Sequence, residues 1–331
     1  MSEICDVVVG LDVHLKKTQV TIMKMNGDIV KRERVDTCKA DLRRSLECVP
    51  KGSKVALESV GFCWPWIDFL EELGHNVLLA NPLLLKNMGD IKNDKVDSKR
   101  LANLTRMNSL PTCYVPSTEL RWLRSLLRHR SFRTRLSTAV KNRSRSEFSK
   151  RDIHLDVNLS RLNGRRAALG LDVFEVNQNM ELLDLMDRQT KEVEALLKRK
   201  YEQAKPVQLL MTIPGIGFLS AVTLYAEICD NKRFSNPDKL AHYAGLVPRV
   251  RQSGEHLWMG KETKGDAYLK WILIEASWSH VRFCREGHLA KAFEVACRRK
   301  GKSTDAIKVV ARKLVNVVWA VLTYEKEFMV K

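Results

Sequence analysis

The sequence predicts an α/β layered domain followed by a mostly helical remainder. Three observations lead there: short β-rich runs alternate with helical patterns up to residue 82, a long basic stretch poor in Gly and Pro comes next, and two helical patterns from 209 to 228 are joined by a glycine turn.

Each element can be justified in order. "DVVVGLDV" (6–13) is β-rich, and "KTQVTIMKM" (17–25) alternates polar with apolar residues before "NGD", a strong hairpin signal. "DIVKRERVDT" returns as a third strand, and "CKADLRRSLECVP" carries a helical pattern. "SKVALES" (53–59) predicts a buried strand, "WPWIDFLEELG" (64–74) a helix closed by Gly74, and "HNVLLANP" (75–82) a fifth strand. "DKVDSKRLANLTRM" (94–107) predicts a helix. The resulting order, βββαβαβα, is that of a ribonuclease-H-like domain, expected over residues 1–118, with another mixed α/β fold as the alternative.

Residues 119–205 are expected to be a basic helical segment. Arg121 to Arg151 holds eleven Lys or Arg against one acid, Glu147. Leu182, Met186, Gln189, Val193 and Leu196 follow at alternating spacings of four and three, which suits an antiparallel helical hairpin or a dimerising coiled coil. Residues 206–331 form the third expected segment, mainly α. Its "PGIG" reads as a helix-hairpin-helix turn, in which Gly215 and Gly217 let backbone N–H groups approach a phosphate. A tight interhelical turn inside a bundle is the plainer reading of the same residues. A polar loop (251–268) and helices over about 266–285 and 303–328 complete the chain.

Charge and cysteine usage narrow the function. The 331 residues carry 57 Lys plus Arg against 39 Asp plus Glu, a formal net charge of +18, so a polyanion is the expected partner. Arg121, Arg124, Arg128, Arg133, Arg135, Lys141, Arg143 and Arg145 are the candidate contacts to a nucleic-acid backbone, with a solvated helix face as the alternative. No secretory signal is expected, no apolar run approaches membrane-spanning length, and the eight cysteines lack zinc or dithiol spacing. A cytoplasmic protein with reduced thiols is expected.

Four acids carry the chemistry. Asp12 ends the first strand and Glu58 the fourth; in a ribonuclease-H-like sheet those strands are neighbours. Asp94 and Asp97 stand at i and i+3 on one helical face. Four converging carboxylates repel unless a cation neutralises them, and Mg²⁺ prefers oxygen ligands. Two such ions, roughly 3.5–4 Å apart, stabilise the attacking and leaving oxygens of an in-line phosphoryl displacement. Taken singly, Asp94 and Asp97 fit a helix N-cap and a first-turn acid equally well.

Asp12, Glu58 and the Asp94/Asp97 pair within "KNDKVDSKRLA" resemble the DEDD motif of insertion-sequence transposases of the IS-one-ten family, which includes the Piv DNA invertases. "IPGIGFLSAVTLYAEI", "KLAHYAGLVPRVRQSGE" and "KGDAYLKWILIEAS" resemble that family's C-terminal transposase domain. The resemblance implies a RuvC-like catalytic domain, a coiled-coil insertion and a serine nucleophile, which maps to Ser253. It also implies two Mg²⁺ ions per assembled site, donor and target double-stranded DNA, a dimer or tetramer, and in some members a structured bridge RNA. Arg249, Arg251, Lys261 and Lys264, near Ser253 in sequence, are expected to neutralise phosphate charge. Two other functions fit the composition: a Holliday-junction-type endonuclease using metal-activated water, and a non-enzymatic architectural DNA-binding protein.

Overall fold

The computed structural model describes residues 6–88, 94–154, 157–253 and 256–329; the side chains of 94–96, 250–253, 256, 257, 259 and 261 lie outside that description. The chain divides into two compact units, one ending at Val115 and one beginning at Pro116.

The first unit contains β1 (Val7–Val13), β2 (Lys17–Lys24), β3 (Ile29–Asp36), α1 (Lys39–Leu46), β4 (Lys54–Glu58), α2 (Trp64–Glu72), β5 (Asn76–Ala80), α3 (Pro82–Asn87) and α4 (Asp94–Arg106). All five expected strands form, in one mixed sheet of order β3-β2-β1-β4-β5. The β1–β2–β3 run is antiparallel, whereas β1, β4 and β5 are parallel because a helical connection separates each pair. Helix α3 was absent from the sequence reading; Asn81 caps it by accepting from the N–H groups of Leu83 and Leu84.

Period-two alternation decides what each sheet face does. Val7, Val9, Leu11 and Val13 of β1 join Val55 and Leu57 of β4 in a core with Leu42 of α1 and Ile67 and Leu70 of α2. The opposite face is covered by α4, where Val8 and Met23 pack on Ala102, and Ala56 packs with Leu101. That face is lined by small residues at the closest approach. A β-carbon on Gly10 would stand 2.0 Å from the Ser98 carbonyl oxygen and 2.6 Å from the Ala102 nitrogen, so only glycine lets α4 lie there. The Ser98 and Thr21 hydroxyls, both fully buried, are 2.9 Å apart and fasten α4 to β2. Edge strand β3 keeps an exposed, charged face, which discourages pairing with another sheet.

The second unit contains α5 (Thr118–Ser149), α6 (Leu162–Leu169), α7 (Phe174–Tyr201), α8 (Lys205–Met211), α9 (Phe218–Ile228), α10 (Pro237–Tyr243), β6 (Pro248–Ser253), β7 (His256–Glu262), α11 (Ala267–Phe283), α12 (His288–Lys300) and α13 (Ser303–Tyr324). Helices α5 and α7 run antiparallel: Tyr201 donates to Glu119 at one end, Arg130 to Glu194 in between, and Arg151 to Glu175 at the other. The buried stripe of α7 is Val176, Met180, Leu183, Met186, Leu197 and Tyr201, while Leu182 is exposed and Leu196 half-buried. The buried stripe therefore holds Met186 of the expected series but takes Leu183 and Leu197 in place of Leu182 and Leu196. The α5 start and α7 end share one core with α8–α13, while Val140, Phe148, Leu159 and Met180 form a separate core toward the far end of the hairpin.

One difference concerns residues 251–268, read as a loop. Residues 248–253 and 256–262 pair as antiparallel strands, β6 against β7, with Ser253 opposite His256. The two runs are short and hold few apolar residues, Val250, Leu257, Trp258 and Met259, so the strand signal is weak and pairing between the runs supplies the order.

Candidate carboxylate centre and nucleic-acid surface

In the first unit, the β1–β4 register sets Leu11 opposite Leu57, so Asp12 and Glu58 follow one residue later on adjacent strands. By alternation both belong to the face that α4 covers, and Asp97 immediately precedes Ser98, the residue seated on Gly10. Asp12 is 8% exposed, and its Oδ2 lies 3.1 Å from His14 Nε2. Glu58 registers the convergence most directly. Burial pushes its carboxyl above the usual range, and the charges of Asp12 and Asp97 push it further. His14 and Arg100 act in the opposite sense.

Three of the four predicted acids thus form one electrostatic group, although forty-six residues of chain separate Asp12 from Glu58. Asp94 opens α4, and its side chain lies outside the described residues. The donor set fits a hard divalent ion in kind: oxygen ligands from two strand ends and a helix, crowded enough to raise a carboxyl pKa. Among the described residues, no three His, Cys, Asp or Glu side chains stand within common reach of one ion. Asp12 is turned to the His14 ring, a contact that would have to open for Asp12 to ligate. His14 was missed by sequence reasoning. The available signal for His14 was its i+2 spacing from Asp12, which returns it to the same face of an extended chain.

In the second unit, Ser253 and Arg251 are placed at the hairpin only by their backbone; their side chains, and that of Lys261, lie outside the described residues. Arg249 and Lys264 are exposed near the hairpin base. Glu262, at the end of β7, pairs with Lys270 of α11 and Lys308 of α13. These two cations hold its carboxyl below the usual range against the opposing effect of burial.

The arginines of α5 divide into two groups. Arg124 donates to the carbonyls of Ala226 and Glu227 at the end of α9, at 2.7 and 2.8 Å, and pairs with the buried Glu227 carboxylate at 3.1 Å. Arg128 reaches the same carboxylate with two nitrogens, at 3.2 and 3.0 Å. The Arg124 guanidinium, expected at a phosphate, is therefore engaged inside the fold, whereas Arg128, its side chain 41% exposed, meets Glu227 from the surface. The signal that could have found this is Glu227 itself, an acid within the apolar run "SAVTLYAEI".

Further along α5, Arg121 donates to Thr118 at 2.9 Å, Arg133 to Gln189 and His129, and Lys141 to Ser160. Arg135 and Arg145 are exposed. Glu147, the only acid of this stretch, is buried and pairs with Arg143, Lys150 and Arg151, which offsets part of the local positive charge.

The two glycines of "PGIG" also differ. Gly215 has φ +88°, and a β-carbon there would stand 2.4 Å from the backbone nitrogen of His280, so this glycine serves the close approach of the turn to α11. His280 Nδ1 secures that approach at 2.7 Å from the Pro214 carbonyl. Gly217 caps α9 with open space around it.

Comparison with known proteins yields consistent matches. Residues 9–149 match the DEDD transposase model of the IS110 group, and residues 207–292 match the model described as the transposase IS116/IS110/IS902 family. A Pseudomonas aeruginosa protein named "Probable family 20 transposase" is 27% identical across 96% of this chain and 97% of its own length. The transposase for insertion sequence element IS1328 of Yersinia enterocolitica is 24% identical across 95% and 96%. A pilin gene-inverting protein of Moraxella bovis is 26% identical across 77% and 74%.

Proposed function

Because the chain belongs to the IS116/IS110/IS902 family of transposases, enzymes of DNA cleavage and strand transfer, we propose that it cuts and rejoins DNA through a serine nucleophile and metal-bound carboxylates. The observation that carries this reading is the register that sets Asp12 beside Glu58 on the sheet face α4 covers, with Asp97 next to the serine seated on Gly10: acids from three elements share one face, and burial, then Asp12 and Asp97, raise the Glu58 carboxyl. Such crowding is unfavourable in a structural role and is relieved by a divalent cation. The strand order supports a ribonuclease-H-like, specifically RuvC-like, assignment for the first unit. The antiparallel α5/α7 pair supports the coiled-coil assignment, and the α8–α9 turn supports the helix-hairpin-helix one. On this reading residues 1–118, 119–205 and 206–331 are the catalytic, helical and transposase segments.

Asp12, Glu58, Asp94 and Asp97 would hold two Mg²⁺ ions. When bound, the ions withdraw charge from phosphate oxygens and favour departure of the leaving oxygen. The chain's own residues do the rest. Ser253 Oγ forms a bond to phosphorus as the bond to one sugar oxygen breaks; the serine proton leaves to solvent and the departing oxygen gains one. A strand hydroxyl then attacks the phosphoserine, expels Ser253 and restores a phosphodiester. The number of phosphate ester bonds is conserved, so no external energy source is needed. Arg249, Arg251, Lys261 and Lys264 supply positive charge along the hairpin.

Ser253 and the acids lie in different units, so competence on this reading requires those units, from one chain or two, to meet on DNA. A dimer or tetramer satisfies that need. The +18 balance supports donor and target DNA, and a structured bridge RNA, as partners. Among the described residues, no helix is long and apolar enough to cross a membrane.

Trapping on nicked suicide DNA tests the serine step. The unmodified chain should give a covalent adduct that Ser253→Ala lacks, with metal binding retained. Metal-dependent cleavage without any adduct would instead establish hydrolysis by activated water, as in a junction-resolving endonuclease.

A further inference from the structure

A groove in the second unit, about 520 Å³ in volume, separates α5 from the first turn of α11. Its α5 wall is Arg130, Ser131, Thr134, Arg135 and Thr138, spaced at three and four residues and so on one helical face. Opposite stand Tyr268 and Trp271. This run of small hydroxyls follows Leu127, which is buried in the core. The apolar stripe of α5 thus ends where the groove begins, and the two helices part.

The lining combines cation, hydroxyl and aromatic surface. The Arg128 guanidinium lies 4.8 Å from the Tyr268 ring centre, and Arg128 is itself held by Glu227, so the tyrosine wall is set in advance. Arg135 is exposed at the rim, its guanidinium 3.4 Å from the Tyr268 hydroxyl. Thr134 and Thr138 donate their hydroxyl protons back to the carbonyls of Arg130 and Thr134, which leaves acceptor oxygens and methyl groups for the groove. Trp271 is 43% exposed and has no ring or cation partner among the described residues. Along the chain, five residues, Thr263 to Ala267, separate the end of β7 from Tyr268.

We propose that this groove receives one unpaired deoxynucleotide of the strand being cut, with its base stacked on Trp271 and its phosphate held by Arg135. A flat ring with amino donors suits the indole face and the threonine oxygens, and an anionic linker suits the arginine. The volume accommodates a small-molecule-sized group rather than a duplex. The inference rests on the DNA-cutting reading for the identity of its ligand. Its test reads binding alone, so a failure here and a failure of the serine chemistry are separate outcomes.

The experiment uses the full chain with divalent ions chelated, to prevent cleavage, and a single-stranded DNA oligonucleotide bearing 2-aminopurine at successive positions. Binding should quench the fluorescence at one position. Trp271→Ala should weaken single-strand binding by about five- to a hundred-fold, the range expected for one base–aromatic stack, whereas Trp271→Phe should stay within a few-fold. Fully paired DNA of the same sequence should bind both variants like the unmodified protein. Arg135→Gln, an exposed substitution, should lower the salt dependence of single-strand binding and provides a readout should Trp271→Ala not fold. Equal single-strand affinity in Trp271→Ala, equal losses on single strand and duplex, an unchanged salt dependence in Arg135→Gln, or stronger quenching on an RNA strand would each overturn the proposal.

Discussion

Ser98 rests on Gly10 so closely that a β-carbon on the glycine would stand 2.0 Å from the serine carbonyl oxygen. This contact sets the depth of α4 on the sheet and, through the residue next to Ser98, the approach of Asp97 to Asp12 and Glu58. The carboxylate group is therefore positioned by a residue that bears no functional group.

Gly10→Ala should destabilise the first unit by about 1–3 kcal/mol or more, because the obstruction is backbone and cannot turn aside. Thermal melting would measure the loss. Strand cleavage should fall even at temperatures where the variant remains folded, since α4 must lift. An unchanged melt together with full cleavage would show that α4 does not need the glycine.

Glu58 gives a pH signature. Its folded pKa is raised, so the neutral carboxyl is favoured in the fold: the stabilising contribution is complete below the unfolded pKa and is lost as pH rises through the folded value. Glu58→Gln should therefore melt higher than the unmodified chain at neutral pH without divalent ions, and the difference should close in acid. Cleavage should be abolished. A lower melt for Glu58→Gln at neutral pH would contradict the crowding inferred here.

Asp12→Ala, Glu58→Ala and Asp97→Ala should each abolish recombination while circular dichroism stays that of a folded chain. Adding Mg²⁺ should raise the melting temperature of the unmodified protein, by mass action on the folded state, and that gain should shrink in each variant. A full Mg²⁺ response in all three would remove these acids from the metal site.

Two arginines of the same helix should behave differently. Arg124→Ala leaves the buried Glu227 with Arg128 alone and the Ala226 and Glu227 carbonyls without their donor, and should cost about 1–3 kcal/mol of stability, with little change in the salt dependence of DNA binding. Arg145→Ala, on an exposed side chain, should leave the melt unchanged and reduce the salt slope by about one phosphate contact. Calorimetry and binding titrations across salt concentrations would separate the two effects.

Tyr201 supplies a local probe. Burial, and then donation to Glu119, push its phenol up to about 12. Burial also raises the Tyr225 phenol, so an ultraviolet titration should show a late tyrosine phase that shrinks, without vanishing, in Tyr201→Phe. Stabilisation by the neutral phenol is present through neutral pH and lost as pH rises toward 12.

The order of strands and helices up to residue 107 except α3, the pairing of Asp12 with Glu58 at neighbouring strand ends, and the basic character of α5 could all be read from the sequence, because alternation, turn residues and charge are local properties of the chain. Tertiary structure decided the rest. Residues 248–253 and 256–262 became strands only through pairing between two individually weak runs. Arg124 and Arg128 turned to Glu227, about a hundred residues away, because it is buried and needs cations. His14 and Arg100 joined the carboxylates, and Gly215 was committed to α11, through contacts between distant parts of the chain. Periodicity reveals which face of an element is buried, but the partner it meets depends on contacts between segments that local pattern does not encode.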